Sequence, residues 1–282
     1  MLRTLLTVIL SVGMTLGIIK LMPTASQETA KESVYDRVMR TGTIRCGYTP
    51  YSVGFIKDPN NGAMSGIYFD IVQEIAKNLQ LKVEYVEEVG WDQQIAGLES
   101  DRYDMMCSPT SLNAGRTRTA DFSIPLYYSP VKLWVRRGDP LVNSSFDAFN
   151  RNTIKISVLD GEQTATFARN YFPNAQAVSL PQASSFSDLM MQVTTHKADV
   201  TMAEPLSVYE FEETNPDTLE EVKTERPLVI VPNVILLKRD QFAFKELIDN
   251  SLRELFNTGY IDRSITKYEK YPHSYIRETT MR

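Results

Sequence analysis

Histidine and cysteine are scarce in this chain: among 282 residues there are two of each. His196 and His273 are far from one another in sequence and from both cysteines, so no Cys–His nucleophilic pair and no cluster of metal ligands can be assembled. No G-x-S-x-G, H-E-x-x-H or phosphate-binding loop occurs. No catalytic group, cofactor or metal is therefore expected. Basic residues form neither a stripe nor a tail, and the formal net charge of −5 argues against nucleic acid as a partner. Apolar runs of membrane-spanning length are also missing. The longest at the front, residues 4–19, is short for a span. Placed between Arg3 and Lys20, it reads as a secretory signal cut near Ala25 or Ser26. Because the small-x-small pattern at that point is poor, an uncleaved N-terminal anchor stays open, so residues 1–25 form a signal peptide or anchor. Cys46 and Cys107 end apolar strand-like runs. An exported chain could pair them, but the residues alone read more simply as two buried small hydrophobes.

Apolar residues make up 43% of the chain, ample for the core of one or two domains. Strand-like and helix-like stretches alternate. Residues 43–47 read as a strand, 68–79 as an amphipathic helix with Ile71, Val72, Ile75 and Ala76 on one side, 81–86 as a strand, and 91–98 as a helix. This rhythm predicts an α/β unit with a mostly parallel sheet, whose ligands sit beyond the carboxyl ends of the strands. The run 103–130 is central. Met105-Met106-Cys107 is a short buried strand, Ser108-Pro109-Thr110-Ser111 a turn rich in hydroxyls, and Arg116 a guanidinium a few residues further on. Hydroxyls, turn N–H groups and an arginine fork make a carboxylate trap, although a polar surface loop would look similar.

From residue 153 the pattern restarts. A strand (153–159), a turn at Asp160-Gly161 and a helix (163–171) are followed by a helix from Ser185 and a strand that ends at Glu204-Pro205. Asp104-Met105-Met106 and Asp199-Val200-Thr201-Met202 repeat one theme, an aspartate opening an apolar strand after a helix. Two such halves suggest two lobes facing one cleft, with Arg116 on one wall and the carboxylate of Glu204 on the other, suited to the two ends of a zwitterion. In the apolar run 227–237, Pro232 predicts two strands with a break between them. A helix over 241–256 and a shorter one over 260–268 follow. His273 and the tail read as surface.

These residues carry a resemblance. Arg116 followed by Asp121-Phe122-Ser123-Ile124-Pro125-Leu126-Tyr127-Tyr128 is similar to R-x4-D-F-S-x-P-Y-Y with one residue inserted before the tyrosines. Gly66-Ile67-Tyr68-Phe69-Asp70-Ile71, Trp91 with Ile95 and Leu98, and Gly259-Tyr260-Ile261 with Ile265 and Lys267 match further segments. The chain resembles the extracellular solute-binding proteins of family 3, bacterial periplasmic proteins for polar amino acids and related small molecules, over residues 38–268. The resemblance implies a two-lobed periplasmic-binding-protein fold, each lobe a mostly parallel sheet flanked by helices. Lobe 1 would comprise residues 36–127 plus 233–275 and lobe 2 residues 132–227, joined by a two-strand hinge at 127–131 and 228–232. It implies a periplasmic monomer that captures an amino acid or related carboxylate by hinge closure and hands it to the membrane permease of an ABC transporter.

Site roles are implied in the same way. Arg116 would bind the ligand carboxylate with Ser111 on the same wall. Tyr51 and Trp91 would enclose the ligand side chain. Gly161, Glu162 and Gln163 would form the helix N-terminus that faces the carboxylate, and Glu204 would take the place of the usual aspartate for the ammonium. Asn113, Pro109, Glu162 and Glu204 depart from the family pattern, and a second carboxylate beside the carboxylate site is unfavourable. Two other functions compete: an enzyme on this scaffold, as in cyclohexadienyl dehydratases, with Glu204 or Glu162 as general acid, and a membrane-anchored sensor domain.

Overall fold

In the computed structural model, residues 32–112, 114–272 and 274–277 are described. The signal or anchor segment, Asn113 and His273 lie outside the described residues. Among the described residues no helix is long and apolar enough to cross a membrane. The first lobe begins with helix α1 (Val34–Thr41), strand β1 (Thr43–Tyr48) and the small ribbon β2 (Ile56–Lys57) and β3 (Met64–Ser65). It continues through α2 (Ile67–Asn78), β4 (Lys82–Glu88), α3 (Gln94–Glu99), β5 (Met105–Met106), β6 (Thr110–Ser111) and β7 (Ala120–Phe122). Strand β8 (Tyr127–Arg136) leads into the second lobe: β9 (Lys155–Leu159), α4 (Gln163–Tyr171), β10 (Gln176–Leu180), α5 (Phe186–Thr194), β11 (Val200–Ala203), α6 (Pro205–Glu212) and β12 (Leu219–Glu221). The chain returns through β13 (Val229–Val234) and β14 (Leu236–Lys238) to α7 (Phe242–Asn257) and α8 (Tyr260–Tyr268).

Two sheets organise the two-lobed α/β fold, in the orders β4-β1-β5-β14-β7 and β10-β9-β11-β8-β13-β6, with β12 beside β8. Each begins as a parallel set, β4-β1-β5 in one and β10-β9-β11 in the other. The strands added to these sets are antiparallel, because the chain reverses to pass between lobes. Apolar residues at helical spacing on α2 are buried as the pattern requires. Ile67, Ile71, Val72 and Ile75 meet Ile44 from β1 and Phe244, Ile248 and Leu252 from α7 in one core. A separate core beneath β8, β9 and β11 holds Leu133, Val135, Ile156, Val158, Val200 and Met202. Tyr103 fills the space over two glycines: a Cβ on Gly47 or Gly97 would stand 2.7 or 2.3 Å from its ring. Its hydroxyl donates to the Gln94 carbonyl at 2.7 Å.

The sequence repeat has a structural counterpart. Asp104 accepts the Arg45 backbone N–H at 2.7 Å, and Asp199 accepts the Lys155 backbone N–H at 2.8 Å. Each aspartate thus ties the start of the middle strand of its parallel set to the strand it opens. Both then aim the end of their own strand, and the loop beyond it, at the cleft.

Three expectations need correction. Cys46 and Cys107 are buried, and they are joined by a disulfide. Strands β1 and β5 are parallel neighbours with Cys46 opposite Met105, which brings the Cα atoms of the cysteines to 5.5 Å, within bridging range. That neighbourhood is not visible from two isolated strand ends. Strand β13 also runs straight through Pro232, and the interruption falls at Ile235. The Pro232 carbonyl accepts Leu112 N–H on the side of the two-residue strand β6, so the proline nitrogen faces that side too, past the end of β6, where no ladder partner is lost. The tail, finally, is not mere surface. Ile276 exchanges backbone hydrogen bonds with Tyr128 (2.9 and 2.8 Å), and Tyr275 packs on Tyr127 at 4.6 Å. Tyr271 and Lys270 reach Glu213 at the end of α6.

The two aspartates predict unequal costs. Asp104 is fully buried and also pairs with Arg37 and Arg45, whereas the Asp199 side chain is 31% exposed. Asp104→Ala should destabilise the fold by about 3–5 kcal/mol, and Asp199→Ala by about 1 kcal/mol, as measured by urea unfolding.

Candidate functional site in the cleft

The loops that follow β1, β5, β9 and β11 converge on one cavity between the lobes, which encloses about 700 Å3 of atom-free space, part of it open to solvent. All eight residues singled out from the sequence line it: Tyr51, Trp91, Ser111, Arg116, Gly161, Glu162, Gln163 and Glu204. The departures at Pro109 and Glu162 lie on its walls as well.

Arg116 starts a single turn of 3-10 helix after β6 and is half-buried. Its guanidinium donates to the Gln94 side-chain oxygen and to the Trp91 carbonyl, both at 3.4 Å. Such distances are at the long end for N–H···O bonds, so they locate the group more than they satisfy it. Gln94 is fully buried, and its amide nitrogen donates to the Thr49 hydroxyl at 3.2 Å. The Thr49 N–H in turn donates to Ser108 Oγ at 3.0 Å, directly after the disulfide. Burial weakens the hold of the Arg116 side chain on its proton, and the Glu162 carboxylate opposes that effect from across the cleft.

Glu162 caps helix α4. The turn before it depends on Gly161 at φ +75°, a conformation that glycine adopts without strain. The Glu162 carboxylate accepts the Thr164 N–H at 2.6 Å, so the chain's own anion takes up a helix-start donor that the family resemblance would offer to a ligand. Desolvation raises the pKa of Glu162, while Thr164, Gln163 and Arg116 pull it back.

Glu204 sits at the end of β11, just before Pro205 opens α6. The Ser129 and Tyr51 hydroxyls stand beside its carboxylate and favour the charged form. Ser129 belongs to β8, and its hydroxyl is itself held by Asn233 Nδ2 of β13 at 2.9 Å. Desolvation pushes the Glu204 carboxyl up to about 7, helped by the negative charges of Glu162 and Glu210 and resisted by the two hydroxyls. Burial and the Glu204 charge hold the Tyr51 phenol well above its ordinary range, so it stays protonated and able to donate. Tyr51 also meets Trp91 at 5.6 Å and Phe186 of the second lobe at 5.4 Å, each edge to face. Ser52 donates to Glu210 of α6 at 2.8 Å. The lobes therefore touch across the mouth of the cleft.

Sequence reasoning missed Gln94, Ser129, Asn233 and Phe186. Gln94 shares a helix face with Gly97 and Leu98, a polar residue at a core position. Phe186 is the first helical residue inside the Ser185–Asp188 capping box that opens α5. Ser129 and Asn233 carry no local signal, because their role depends on β8 and β13 lying side by side. Among the described residues no group of three or more His, Cys, Asp or Glu side chains could hold a metal ion.

A two-lobed α/β fold with a charged cleft between its lobes defines a small-molecule binding architecture. The chain belongs to the bacterial extracellular solute-binding proteins, family 3, whose model matches residues 44–271. It is 25% identical over 259 residues to cyclohexadienyl dehydratase of Pseudomonas aeruginosa, covering 91% of this chain and 93% of that one. It is 24% identical over 185 residues to a probable amino-acid ABC transporter-binding protein of Haemophilus influenzae, covering 66% and 68%. The crystal structure of an ancestral amino-acid-binding protein, a precursor of cyclohexadienyl dehydratase, superposes with a TM-score of 0.72 at 23% identity, covering 85% of this chain and all of that one.

The raised Glu204 pKa sets a pH dependence. The native state holds this proton more tightly than the unfolded chain does, so the contribution to stability is present below the ordinary carboxylate pKa. It is lost as pH rises towards 7. The melting temperature of the ligand-free protein should fall across that window, and Glu204→Gln should flatten the fall, as followed by circular dichroism.

Proposed function

We propose that this chain is the substrate-binding protein of an ABC-type transporter, capturing an amino acid or related small polar carboxylate by closing two lobes around it. The observation that carries this reading is the placement of Arg116 and Glu204 in one cleft, with Tyr51, Trp91 and Phe186 over its mouth. A cation on one wall and a carboxylate at the opposite strand end match the two ends of an α-amino acid. Ser111 adds a hydroxyl beside Arg116, and Gly161, Glu162 and Gln163 form the facing wall in lobe 2. Lobe 1 comprises residues 36–127 plus 233–275, lobe 2 residues 132–227, and the bending segments are 127–131 and 228–232, where β8 and β13 pair. Ligand contacts to both lobes supply the differential affinity that favours the closed state. The protein works in the periplasm as a monomer, delivered there by its N-terminal segment, and docks on a membrane permease. Similarity to the Haemophilus influenzae protein and to a probable histidine-binding protein of Campylobacter jejuni supports the amino-acid reading.

Arg116→Ala tests it. The variant should fold with an unchanged circular dichroism spectrum and lose affinity for the ligand amino acid by about 100-fold or more in calorimetric titration, since truncating one side of an enclosed charge pair leaves the other unpaired.

A second reading, an enzyme of the dehydratase type, is favoured by one specific feature. The Glu204 carboxyl, raised to about 7, is poised to give up a proton at neutral pH beside a carboxylate held by Arg116. The similarity to cyclohexadienyl dehydratase extends over most of both chains. Incubation with prephenate or arogenate decides it. Aromatic product that vanishes in Glu204→Gln supports the enzyme; no turnover supports the binding protein.

A further inference from the structure

Among the described residues, three charged side chains line the cleft, and they do not balance. Arg116 contributes one positive charge, Glu162 and Glu204 two negative ones once both are ionised, as a bound cation would make them, and the remaining lining side chains are neutral. Just outside the cavity, Glu210, held by Ser52 at 2.8 Å, adds further negative potential at Glu204. The neighbouring phenols of Tyr51, Tyr68 and Tyr127 stay protonated because burial raises them well above their ordinary range. A plain zwitterion would use Arg116 for its carboxylate and Glu204 for its ammonium, and would leave Glu162 without a counter-charge. Arg116 cannot serve both, because Glu162 is the anion that it faces in the empty cleft. The N–H donors around Glu162 partly offset its desolvation, but they supply no full positive charge.

We propose, resting on the amino-acid reading above, that the cleft selects a ligand of net charge +1: an α-amino acid with a second basic group on its side chain, its carboxylate on Arg116, its α-ammonium on Glu204 and its distal cation on Glu162. The closed cleft enforces the selection, since an unpaired charge enclosed between the lobes loses its water without gaining a partner. Glu162 is thus a specificity residue that acts through charge.

Matched pairs test this by calorimetric titration: L-lysine against L-norleucine, and L-arginine against L-citrulline. Each pair keeps the backbone groups and changes the distal charge. The wild type should bind the charged member about 30-fold or more tighter. In Glu162→Gln that preference should collapse towards parity. A circular dichroism spectrum and melting transition like those of the wild type show that the variant is folded. Equal affinities within each pair in the wild type would overturn the charge requirement and leave the amino-acid reading intact. So would tight binding of L-norleucine accompanied by uptake of one proton, seen as a binding enthalpy that changes with the ionisation enthalpy of the buffer. Binding of none of the four would overturn the amino-acid reading itself, and this inference with it.

Discussion

The chemistry of the cleft turns on the carboxylate of Glu204. It lies at the end of β11, in the second lobe, yet the hydroxyls that favour its charged form come from Tyr51 in the first lobe and Ser129 on a strand that joins the two. Desolvation makes its ionised form costly, and the two hydroxyls return only part of that cost. In the empty cleft this group therefore titrates at about 7, and a positive charge entering the cleft would drive it to ionise. The site is prepared for a cation before any cation arrives, and the preparation is shared between lobes.

The rest of the architecture keeps that carboxylate and Arg116 in place. Asp104 and Asp199 fasten equivalent strand junctions in the two lobes, one beneath the loop that leads to Arg116 and the other beneath β11. The disulfide, Ser108, Thr49 and Gln94 form a continuous support from the first sheet to the guanidinium. Residues 270–272 and 274–276 reach back to β8 and α6. Tyr275 lies on Tyr127, and Tyr271 contacts both Glu213 and the Tyr209 ring. The closed lobes are thus joined by two covalent strands and by a third, non-covalent crossing.

Much of this is legible in the sequence because it rests on local signals. Periodic apolar residues mark α2, α4 and α7, glycine turns mark their ends, and the Asp-plus-apolar-strand repeat announces two lobes. The strand ends carry their chemistry with them, so Arg116 and Glu204 can be named from the order of residues, and Glu162 from the family resemblance. What stays hidden depends on which strands become neighbours. Cys46 and Cys107 meet only because β1 and β5 pair in parallel. Ser129 and Asn233 act only because β8 and β13 pair. Pro232 is tolerated because β6 is two residues long. Gln94 looks like any polar helix residue until its amide is seen between Thr49 and Arg116.

The measurement that reaches the centre of this account is the titration of the Glu204 carboxyl itself, followed by its 13C chemical shift with and without a saturating ligand amino acid. The account predicts a midpoint at about 7 in the empty protein and a carboxylate that stays ionised well below that pH once the ligand ammonium is in place. A midpoint in the ordinary carboxylate range that does not move when ligand binds would contradict it.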